Sequence, residues 1–393
     1  MHLEEIRALE KRYVMQTYGR NEIALVSGEG ARLRDSEGKE YIDLTSGIGV
    51  SCLGYHHPAL SAAISDQAQK LMHCSNLFYS EPMAQVAEHL VKSTGLSRVF
   101  FANSGAEANE AMIKTARKYS SDRYGKDRYK IITLRQSFHG RTMTTLMATG
   151  QDKFHQYFYP LPEGFAYVEA GDLAQFKSCA DEHVCAVIME MIQGEGGVLP
   201  LDQAFVQEVS AYCKAHDILV CVDEVQTGIG RTGTLFCYEQ YGIEPDIVSM
   251  AKGLGGGVPI GAILCGEKCA DTLQPGQHGS TFGGNLLACR AAPTVLSVVD
   301  QPQFLASVKE KGEYIREQLL AMHSPAIREV RGMGLMLGIG VDPQKRSDYV
   351  RALQEKGVLV LTAGEDTIRL LPPLVITKED IDQALACMKE VLK

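Results

Sequence analysis

Two apolar stretches, Ala186-Val187-Ile188-Met189 and Ile218-Leu219-Val220-Cys221-Val222, decide the fold together with the segment that separates them. Each stretch has the length and composition of a buried strand. Between them, residues 202–216 carry apolar side chains at helical spacing, and Asp202 is suited to cap the helix. The pattern predicts two parallel strands joined by a right-handed helical crossover. This is the repeating unit of α/β proteins.

The flanking sequence extends this unit into a larger sheet and adds a smaller domain. A long helix is predicted from about 104 to 119, and further strands are predicted at 98–101, 130–134, 247–250 and 262–265. Past residue 300 the pattern changes to Gly-rich strand signals at 331–341 among helices at 303–322, 346–356 and 378–392. We expect a large domain (51–285) with a mostly parallel central sheet flanked by helices. A small α+β domain (286–393) should follow it, joined by an N-terminal segment (1–50).

The composition excludes several classes of protein. The chain has 393 residues, a net charge of −9 and 22% charged residues, which is ordinary for a globular protein. It does not suit nonspecific nucleic-acid binding, which needs a basic surface. No apolar run reaches the ~18–20 residues of a membrane span, and the first residues lack the apolar stretch of a signal peptide. The 11 cysteines include no C-x-x-C pair, so we expect reduced thiols, no metal site and a cytoplasmic location.

Polar residues follow three of the predicted strands, at the sheet edge where open parallel sheets bind ligands. Ser104-Gly105-Ala106 opens the predicted helix with a capping serine and two small residues, which leaves free N–H groups suited to an anion. Asp223 directly follows one apolar strand, and Lys252 follows another after one residue. Taken singly, each signal has an ordinary structural explanation: a well-capped helix, a hydrogen-bonded acid and a lysine that extends to solvent.

A second set of residues could hold a flat ring and carboxylates. It comprises an aromatic ring, an imidazole, two arginines, an acid in a Gly-rich loop and two hydroxyls in a Gly-rich turn: Phe138, His139, Arg141, Arg369, Glu195, Ser280 and Thr281. Together the two sets match the needs of pyridoxal 5′-phosphate. Its phosphate needs backbone donors, its pyridine nitrogen a carboxylate and its aldehyde a lysine. Amino and keto acids need arginines for their carboxylates.

With these motifs the chain resembles the class III (ω-) aminotransferases of pyridoxal-phosphate fold type I. The resemblance runs over nearly the whole chain, and the segments that carry it include Asn103-Ser104-Gly105-Ala106-Glu107-Ala108-Asn109, Phe138-His139-Gly140-Arg141-Thr142, Gln193-Gly194-Glu195-Gly196-Gly197, Asp223-Glu224-Val225-Gln226, Ala251-Lys252-Gly253, Gly279-Ser280-Thr281-Phe282-Gly283 and Arg369-Leu370-Leu371-Pro372-Pro373. It implies a homodimer with active sites at the subunit interface. Two segments differ from the family's frequent Val-Glu-Pro and Gly-His-x-His-Pro: Met189-Glu190-Met191 and Gly54-Tyr55-His56-His57-Pro58.

The resemblance also implies how the cofactor is held. Lys252 is expected to bind pyridoxal 5′-phosphate covalently, and Asp223 is expected to pair with the pyridine nitrogen. The other cofactor contacts are expected from Gln226 to the phenolic oxygen, from Phe138 to the ring face, and to the phosphate from Ser104, Gly105, Ala106 and the partner subunit's Thr281.

For the substrates, the resemblance implies two carboxylate sites. Arg141 and Ser280 are expected to meet the carboxylate end of the amino donor, and packing around Asn76 and Arg141 is expected to set the preference for its acyl group. Glu195 is expected to pair with Arg369 while the donor is bound. It would then release Arg369 to bind the α-carboxylate of 2-oxoglutarate or glutamate.

Within the family, the chain is most similar to members that act on N2-acetylornithine. The expected reaction moves the δ-amino group of N2-acetyl-L-ornithine to 2-oxoglutarate and gives N-acetyl-L-glutamate 5-semialdehyde and L-glutamate, a step of arginine biosynthesis. Other donors remain open: N-succinylornithine, N-succinyl-diaminopimelate, ornithine or 4-aminobutyrate. So do a fold-related aminomutase, which has less need for a second carboxylate site, and a phosphate-binding protein without catalysis.

Overall fold

Strands and helices alternate through most of the chain in the computed structural model, which describes all residues from 1 to 393. The strands are β1 (Leu25–Glu29), β2 (Arg32–Asp35), β3 (Glu40–Asp43), β4 (Arg98–Ala102), β5 (Lys130–Leu134), β6 (Phe165–Val168), β7 (Val184–Met189), β8 (Ile192–Gln193), β9 (Leu199–Pro200), β10 (Leu219–Asp223), β11 (Ile247–Met250), β12 (Gly261–Cys265), β13 (Glu329–Met333), β14 (Met336–Gly340), β15 (Val358–Leu359), β16 (Leu361–Ala363) and β17 (Thr367–Leu370). The helices are α1 (Leu3–Tyr13), α2 (Ser46–Gly49), α3 (Pro58–Ala68), α4 (Glu81–Thr94), α5 (Gly105–Tyr124), α6 (Met143–Ala148), α7 (Leu173–Cys179), α8 (Gly194–Gly197), α9 (Gln203–Ala215), α10 (Leu286–Val299), α11 (Pro302–Ala321), α12 (Arg346–Glu355) and α13 (Lys378–Val391). Short 3₁₀ turns lie at Asp152–Phe154, Cys237–Tyr241 and Lys252–Gly255.

The central sheet has seven strands in the order β4-β12-β11-β10-β7-β5-β6. Neighbouring strands from β11 to β6 run parallel, and β12 runs antiparallel to both of its neighbours, β11 and β4. The mostly parallel sheet predicted from the sequence is therefore confirmed. Its predicted unit appears as β7-α9-β10, and the carboxylate of Asp202 caps α9 by accepting the N–H of Phe205 at 2.8 Å.

Helices cover both faces of this sheet, which is why its middle strands are almost entirely apolar. All residues of β7 and β10 are buried. Successive side chains of a strand point to opposite faces. Ile188 and Cys221 therefore pack with apolar side chains of α5 in one cluster, while Val187 and Val222 pack with those of α9 in the other. The sheet thus presents its strand ends, with their loops, as the place for a ligand.

Two smaller sheets are built from the chain ends. One has the order β13-β14-β17-β16 and is antiparallel, and it carries Arg369 on β17. The other has the order β1-β2-β3-β15, in which β3 pairs in parallel with β15, so the two ends of the chain meet in one sheet. Helix α10, which begins at residue 286, packs against α3 and α4. The expected division into residues 1–50, 51–285 and 286–393 stays a prediction.

Two features bear on the surroundings of the chain. None of its helices combines the length and the apolar character that crossing a bilayer requires. Every one of the cysteines is a free thiol.

Candidate active site

A cavity of about 420 Å³ opens where β4, β5, β10 and β11 end. The sequence-predicted residues that line it are Ser104, Gly105, Ala106, Phe138, Arg141, Glu195, Asp223, Gln226 and Lys252. Segments distant in sequence thus meet because the carboxyl ends of parallel strands share one edge of the sheet. Arg369 reaches the same region through Glu195, whereas Asn76, Ser280 and Thr281 lie outside this cavity.

The N-terminus of α5 forms one end of the cavity. The hydroxyl of Ser104 accepts the N–H of Glu107 at 3.2 Å and so caps the helix. The first N–H groups of a helix have no partner within it, and together with the helix dipole they attract an anion. A Cβ atom at Gly105 would lie 2.7 Å from a methyl group of Val225. Glycine therefore allows the backbone to pack closely against Val225. Because glycine has no side chain, it also leaves the N–H groups of the helix end uncovered.

Asp223 is a buried acid that faces the cavity from the end of β10. It is 3% exposed, and its Oδ2 atom lies 2.7 Å from Nδ2 of Asn109 and 2.8 Å from Nδ1 of His139. Its Oδ1 atom accepts the N–H of Val225 at 3.0 Å. Burial by itself lowers the pKa of His139, but the hydrogen bond and charge of Asp223 outweigh burial and raise that pKa. The acid is thus held in place by three donors and presents negative charge to the cavity.

Lys252 begins the 3₁₀ turn after β11 and has a left-handed backbone with φ of 42°. Such a conformation costs of order 1–3 kcal/mol for a residue other than glycine and tends to occur at functional sites. No hydrogen bond engages its amino group. Burial lowers the pKa of this amine; the carboxylates of Glu195 and Asp223 oppose the shift, and Arg369 adds to it. An amine with a lowered pKa is suited to act as a nucleophile.

Glu195 and Arg369 form an ion pair beside the lysine. Arg369 is 2% exposed, and its Nη1 atom donates to Oε1 of Glu195 at 2.6 Å and to Oε1 of Gln226 at 3.1 Å. Burial raises the pKa of Glu195, but the charge and hydrogen bond of Arg369 outweigh it and leave that pKa below its usual value. The buried Nε atom of Arg369 has no partner. The structure therefore brings together the pair that the resemblance implies, while its opening stays a prediction.

Glu195 lies in a loop that hydrogen bonds hold to two neighbouring segments. Its carbonyl accepts the N–H of Gly364 at 2.9 Å, and the neighbouring Gln193 donates to the carbonyl of Arg135 at 2.7 Å. Met191 is itself buried, and its carbonyl accepts the hydroxyl of Tyr241 at 2.9 Å.

Phe138 and Arg141 form an aromatic wall and a cationic rim. The ring of Phe138 packs edge-on against Phe154, with 5.7 Å between the ring centroids. The guanidinium of Arg141 lies 4.3 Å from the centroid of Phe154, and its side chain is exposed. A planar ligand could lie on this wall while an acidic group at its outer end meets Arg141.

The three residues outside the cavity belong to one region, where Asn76 and Ser280 hold a loop together and Thr281 lies exposed on it. Nδ2 of Asn76 donates to the carbonyls of Ser280 at 3.1 Å and Gly283 at 2.7 Å. The hydroxyl of Ser280 accepts from Asn103 at 3.1 Å, and the side chain of Thr281 is exposed. Within one chain these residues shape a surface loop. Their expected contacts with substrate or phosphate stay predictions that require a second subunit.

Four of the other side chains that line the cavity adjoin the predicted residues, although the sequence did not assign them. His139 was recognised as a hydrogen-bonding ring without a known partner, and Asn109, Glu190 and Val225 were not assigned. Glu190 could have been found, because it directly follows a buried strand as Asp223 does. The partner of His139 could not, because a contact between residues 139 and 223 has no local signal.

The arrangement fits pyridoxal 5′-phosphate. The cavity volume lies within the ~300–1,000 Å³ range of small-molecule sites. It offers an anion-binding helix end to the phosphate, the carboxylate of Asp223 to the ring nitrogen, and the unpartnered amine of Lys252 to the aldehyde. The wall at Phe138 suits the flat ring.

Comparisons with known proteins agree over the full length of the chain. The family model "Aminotransferase class-III" matches residues 13–392. The acetylornithine aminotransferase of Haemophilus ducreyi is 49% identical over 394 residues, which span 100% of this chain and 99% of that protein. Among solved structures, the ornithine aminotransferase from Toxoplasma gondii ME49 has a TM-score of 0.96 at 32% identity, covering 100% of this chain and 95% of that one. The N-acetylornithine aminotransferase from Stenotrophomonas maltophilia K279a has a TM-score of 0.84 at 38% identity, covering 98% and 97% respectively.

Proposed function

The chain belongs to the class III aminotransferase family, and from that premise we propose that it moves the δ-amino group of N2-acetyl-L-ornithine to 2-oxoglutarate. The products would be N-acetyl-L-glutamate 5-semialdehyde and L-glutamate, in a step of arginine biosynthesis. The observation that carries the chemistry is the meeting of the Lys252 amine and the Asp223 carboxylate in one cavity. The choice of donor is supported by 49% identity to an acetylornithine aminotransferase over the whole chain.

The cofactor is pyridoxal 5′-phosphate, which when bound draws electrons away from the carbon that carries the amino group. We assign its covalent attachment to Lys252. The carboxylate of Asp223 would keep a proton on the ring nitrogen, and His139 and Asn109 would hold that carboxylate in position. The phosphate would lie at the N-terminus of α5, on the N–H groups of Gly105 and Ala106 and the hydroxyl of Ser104. Phe138 would lie against the ring, and Gln226 would reach the phenolic oxygen.

Lys252 also acts as the base and the acid of the reaction in this proposal. Its amine takes a proton from the δ-carbon of the donor and passes it on, because burial favours the neutral form that can accept a proton. The amine is held within the same cavity as the substrate, which makes this transfer effectively intramolecular. Asp223 stabilises the charge that develops during the transfer.

The two substrates carry their carboxylates at different distances from the reacting group. Arg141 and Arg369 would bind them at two different places. Acetylornithine has no carboxylate beside its δ-amine, so Glu195 can stay on Arg369 while the distant carboxylate meets Arg141 and Ser280, near Asn76. In 2-oxoglutarate a carboxylate adjoins the reacting carbonyl. Glu195 would then turn away, and Arg369 would bind that carboxylate.

A second copy of the chain would complete the site. Leu77, Phe78 and Tyr79 are 87%, 66% and 106% exposed, and Phe282 beside Thr281 is 60% exposed. Exposed apolar surface of this kind marks an interface. A homodimer would bury it and let Thr281 reach the phosphate site of the partner subunit. A cytoplasmic location belongs to the same proposal and is supported by the free thiols of all the cysteines.

A panel of amino donors tests the proposal. The purified holoenzyme is assayed with N2-acetylornithine, N-succinylornithine, ornithine, N-succinyl-diaminopimelate and 4-aminobutyrate, each with 2-oxoglutarate. We expect the highest kcat/KM with N2-acetylornithine. A higher value with free ornithine would assign the chain to the activity named for the Toxoplasma protein, and no dependence on 2-oxoglutarate would favour an aminomutase.

A further inference from the structure

Glu190 is a buried acid beside the cofactor cavity for which the proposed reaction has no use. It directly follows β7, is 6% exposed and lines the cavity. Its Oε1 atom accepts the N–H of Phe138 at 2.7 Å, and its Oε2 atom accepts the N–H of Gly194 at 3.2 Å. No lysine or arginine pairs with it. A carboxyl in such a place is costly unless its hydrogen bonds are needed.

The two N–H groups belong to the loops that carry the two sides of the site. Phe138 begins the loop that supplies the aromatic wall and, one residue later, the imidazole that holds Asp223. Gly194 begins α8 and directly precedes Glu195, the partner of Arg369. A Cβ atom at Gly194 would lie 2.3 Å from Oε1 of Gln226, so this loop packs directly against the Gln226 side chain.

We propose that Glu190 is a positioning residue whose two carboxylate oxygens tie the Phe138 loop to the Glu195 loop and so fix the width of the cavity between the ring wall and the ion pair. Only a carboxylate offers an acceptor at both ends. Glutamine has the same shape but would turn an NH₂ group towards one of the two N–H groups. The kinetic part of this inference rests on the proposed function, whereas its structural part does not.

The chain offers a matched control in Glu224. That side chain is also an acid at the end of a central strand, 1% exposed, with the N–H of Tyr238 at 2.8 Å and the hydroxyl of Thr227 at 2.5 Å. Burial is the main cause that raises the pKa of each of these two carboxyls to about 7. Glu224 does not line the cavity. An effect that appears in both Glu190→Gln and Glu224→Gln would therefore come from replacing a buried acid and not from breaking the link between the two loops.

Amide hydrogen exchange of the cofactor-free protein at pH 8 tests the tie directly, with resolution at single residues. In the unmodified protein, the amides of Phe138 and Gly194 should be protected. Glu190→Gln should speed exchange at one or both by about tenfold to a hundredfold, which corresponds to the loss of a charged hydrogen bond. Exchange at Tyr238 should not change. Glu224→Gln should speed exchange at Tyr238 and leave Phe138 and Gly194 as they were.

Steady-state kinetics of the holoenzymes supply the second arm. Glu190→Gln should raise the KM for 2-oxoglutarate more than it lowers kcat, and Glu224→Gln should leave both constants near those of the unmodified enzyme. Unprotected amides at Phe138 and Gly194 in the unmodified protein would overturn the inference without any variant. Equal kinetic effects of the two substitutions would also overturn it. If the unmodified holoenzyme transfers no amino group, the proposed function fails, and the exchange data still decide the role of Glu190.

Discussion

Replacing Arg369 with methionine should damage one half of the reaction and spare the other. Methionine keeps most of the buried volume but removes the charge and the donors. To bind the acceptor, Arg369 must give up one hydrogen bond of 2.6 Å to Glu195 and can make two to a carboxylate. The net gain is about one charged hydrogen bond, roughly 1.5–3 kcal/mol. At ~1.4 kcal/mol per factor of ten, the acceptor half-reaction should slow about 10- to 150-fold in its second-order rate constant.

The donor half-reaction should change by less than about threefold, because acetylornithine carries no carboxylate beside its reacting amine and has no bond to Arg369 to lose. Single-turnover measurements on the holoenzyme separate the two halves through its visible absorbance, with N2-acetylornithine in one experiment and 2-oxoglutarate in the other. Arg328→Met is the matched control, since that arginine side chain is 54% exposed and lies outside the cavity.

Two results would refute the reasoning. If both half-reactions slow equally in Arg369→Met, the arginine acts through the fold and not on the acceptor. If neither slows, the α-carboxylate binds elsewhere. Glu195→Gln supplies a further check, because it removes the competing charge from Arg369. It should therefore not weaken acceptor binding.

The remaining predictions concern attachment, pH and assembly. Borohydride reduction should fix pyridoxal 5′-phosphate on the peptide that contains Lys252 and leave no label in Lys252→Ala; label elsewhere would refute the assignment. Because burial lowers the pKa of Lys252, cofactor attachment to the cofactor-free protein should quicken with pH to a midpoint below the ordinary lysine value. Because the folded-state pKa of His139 is raised, its contribution to stability should be full below its unfolded pKa of about 6.5 and fade as pH rises through the raised value. The difference in thermal midpoint between the unmodified protein and His139→Gln should therefore be larger at pH 6 than at pH 9, and an equal difference would argue against a charged imidazole. Phe282→Asp should shift sedimentation from dimer to monomer, since it places a charge in the proposed interface; an unchanged dimer would remove this surface from the interface.

The sequence predicted those parts of the fold that are encoded by neighbouring residues. Strands buried on both faces are almost entirely apolar, so β7 and β10 are visible as runs such as the one around Val187. Asp223 and Lys252 were found because each lies at or just after the end of such a run. The reversal of β12 was not predicted, because its residues are as apolar as those of a parallel strand and its direction depends on how the chain returns from β11.

Contacts between distant segments were equally out of reach. The parallel pairing of Ile42 with Val358 joins the two chain ends, and no local pattern signals it. The same holds for the contact of His139 with Asp223 and for the tie from Glu190 to Gly194 and Phe138. The resemblance named the residues of the site, but the bonds that hold them in place come only from the structure.

The way in which the charged groups around Lys252 are paired explains how a small cavity can contain several of them. Asp223 is paired with His139 and Glu195 with Arg369, so two of the three carboxyls that act on the lysine belong to pairs, and the third is Glu190. Because the field of each pair largely cancels at a distance, burial remains the leading influence on the lysine, and its pKa falls. If the pair of Glu195 and Arg369 opened, the Glu195 carboxylate, which raises the pKa of Lys252, would move away from the amine. The carboxylate of the acceptor would take its place on Arg369. In the proposed reaction, the exchange that makes room for 2-oxoglutarate would therefore leave the charge next to Lys252 nearly unchanged, which would allow one amine to serve both halves of the reaction.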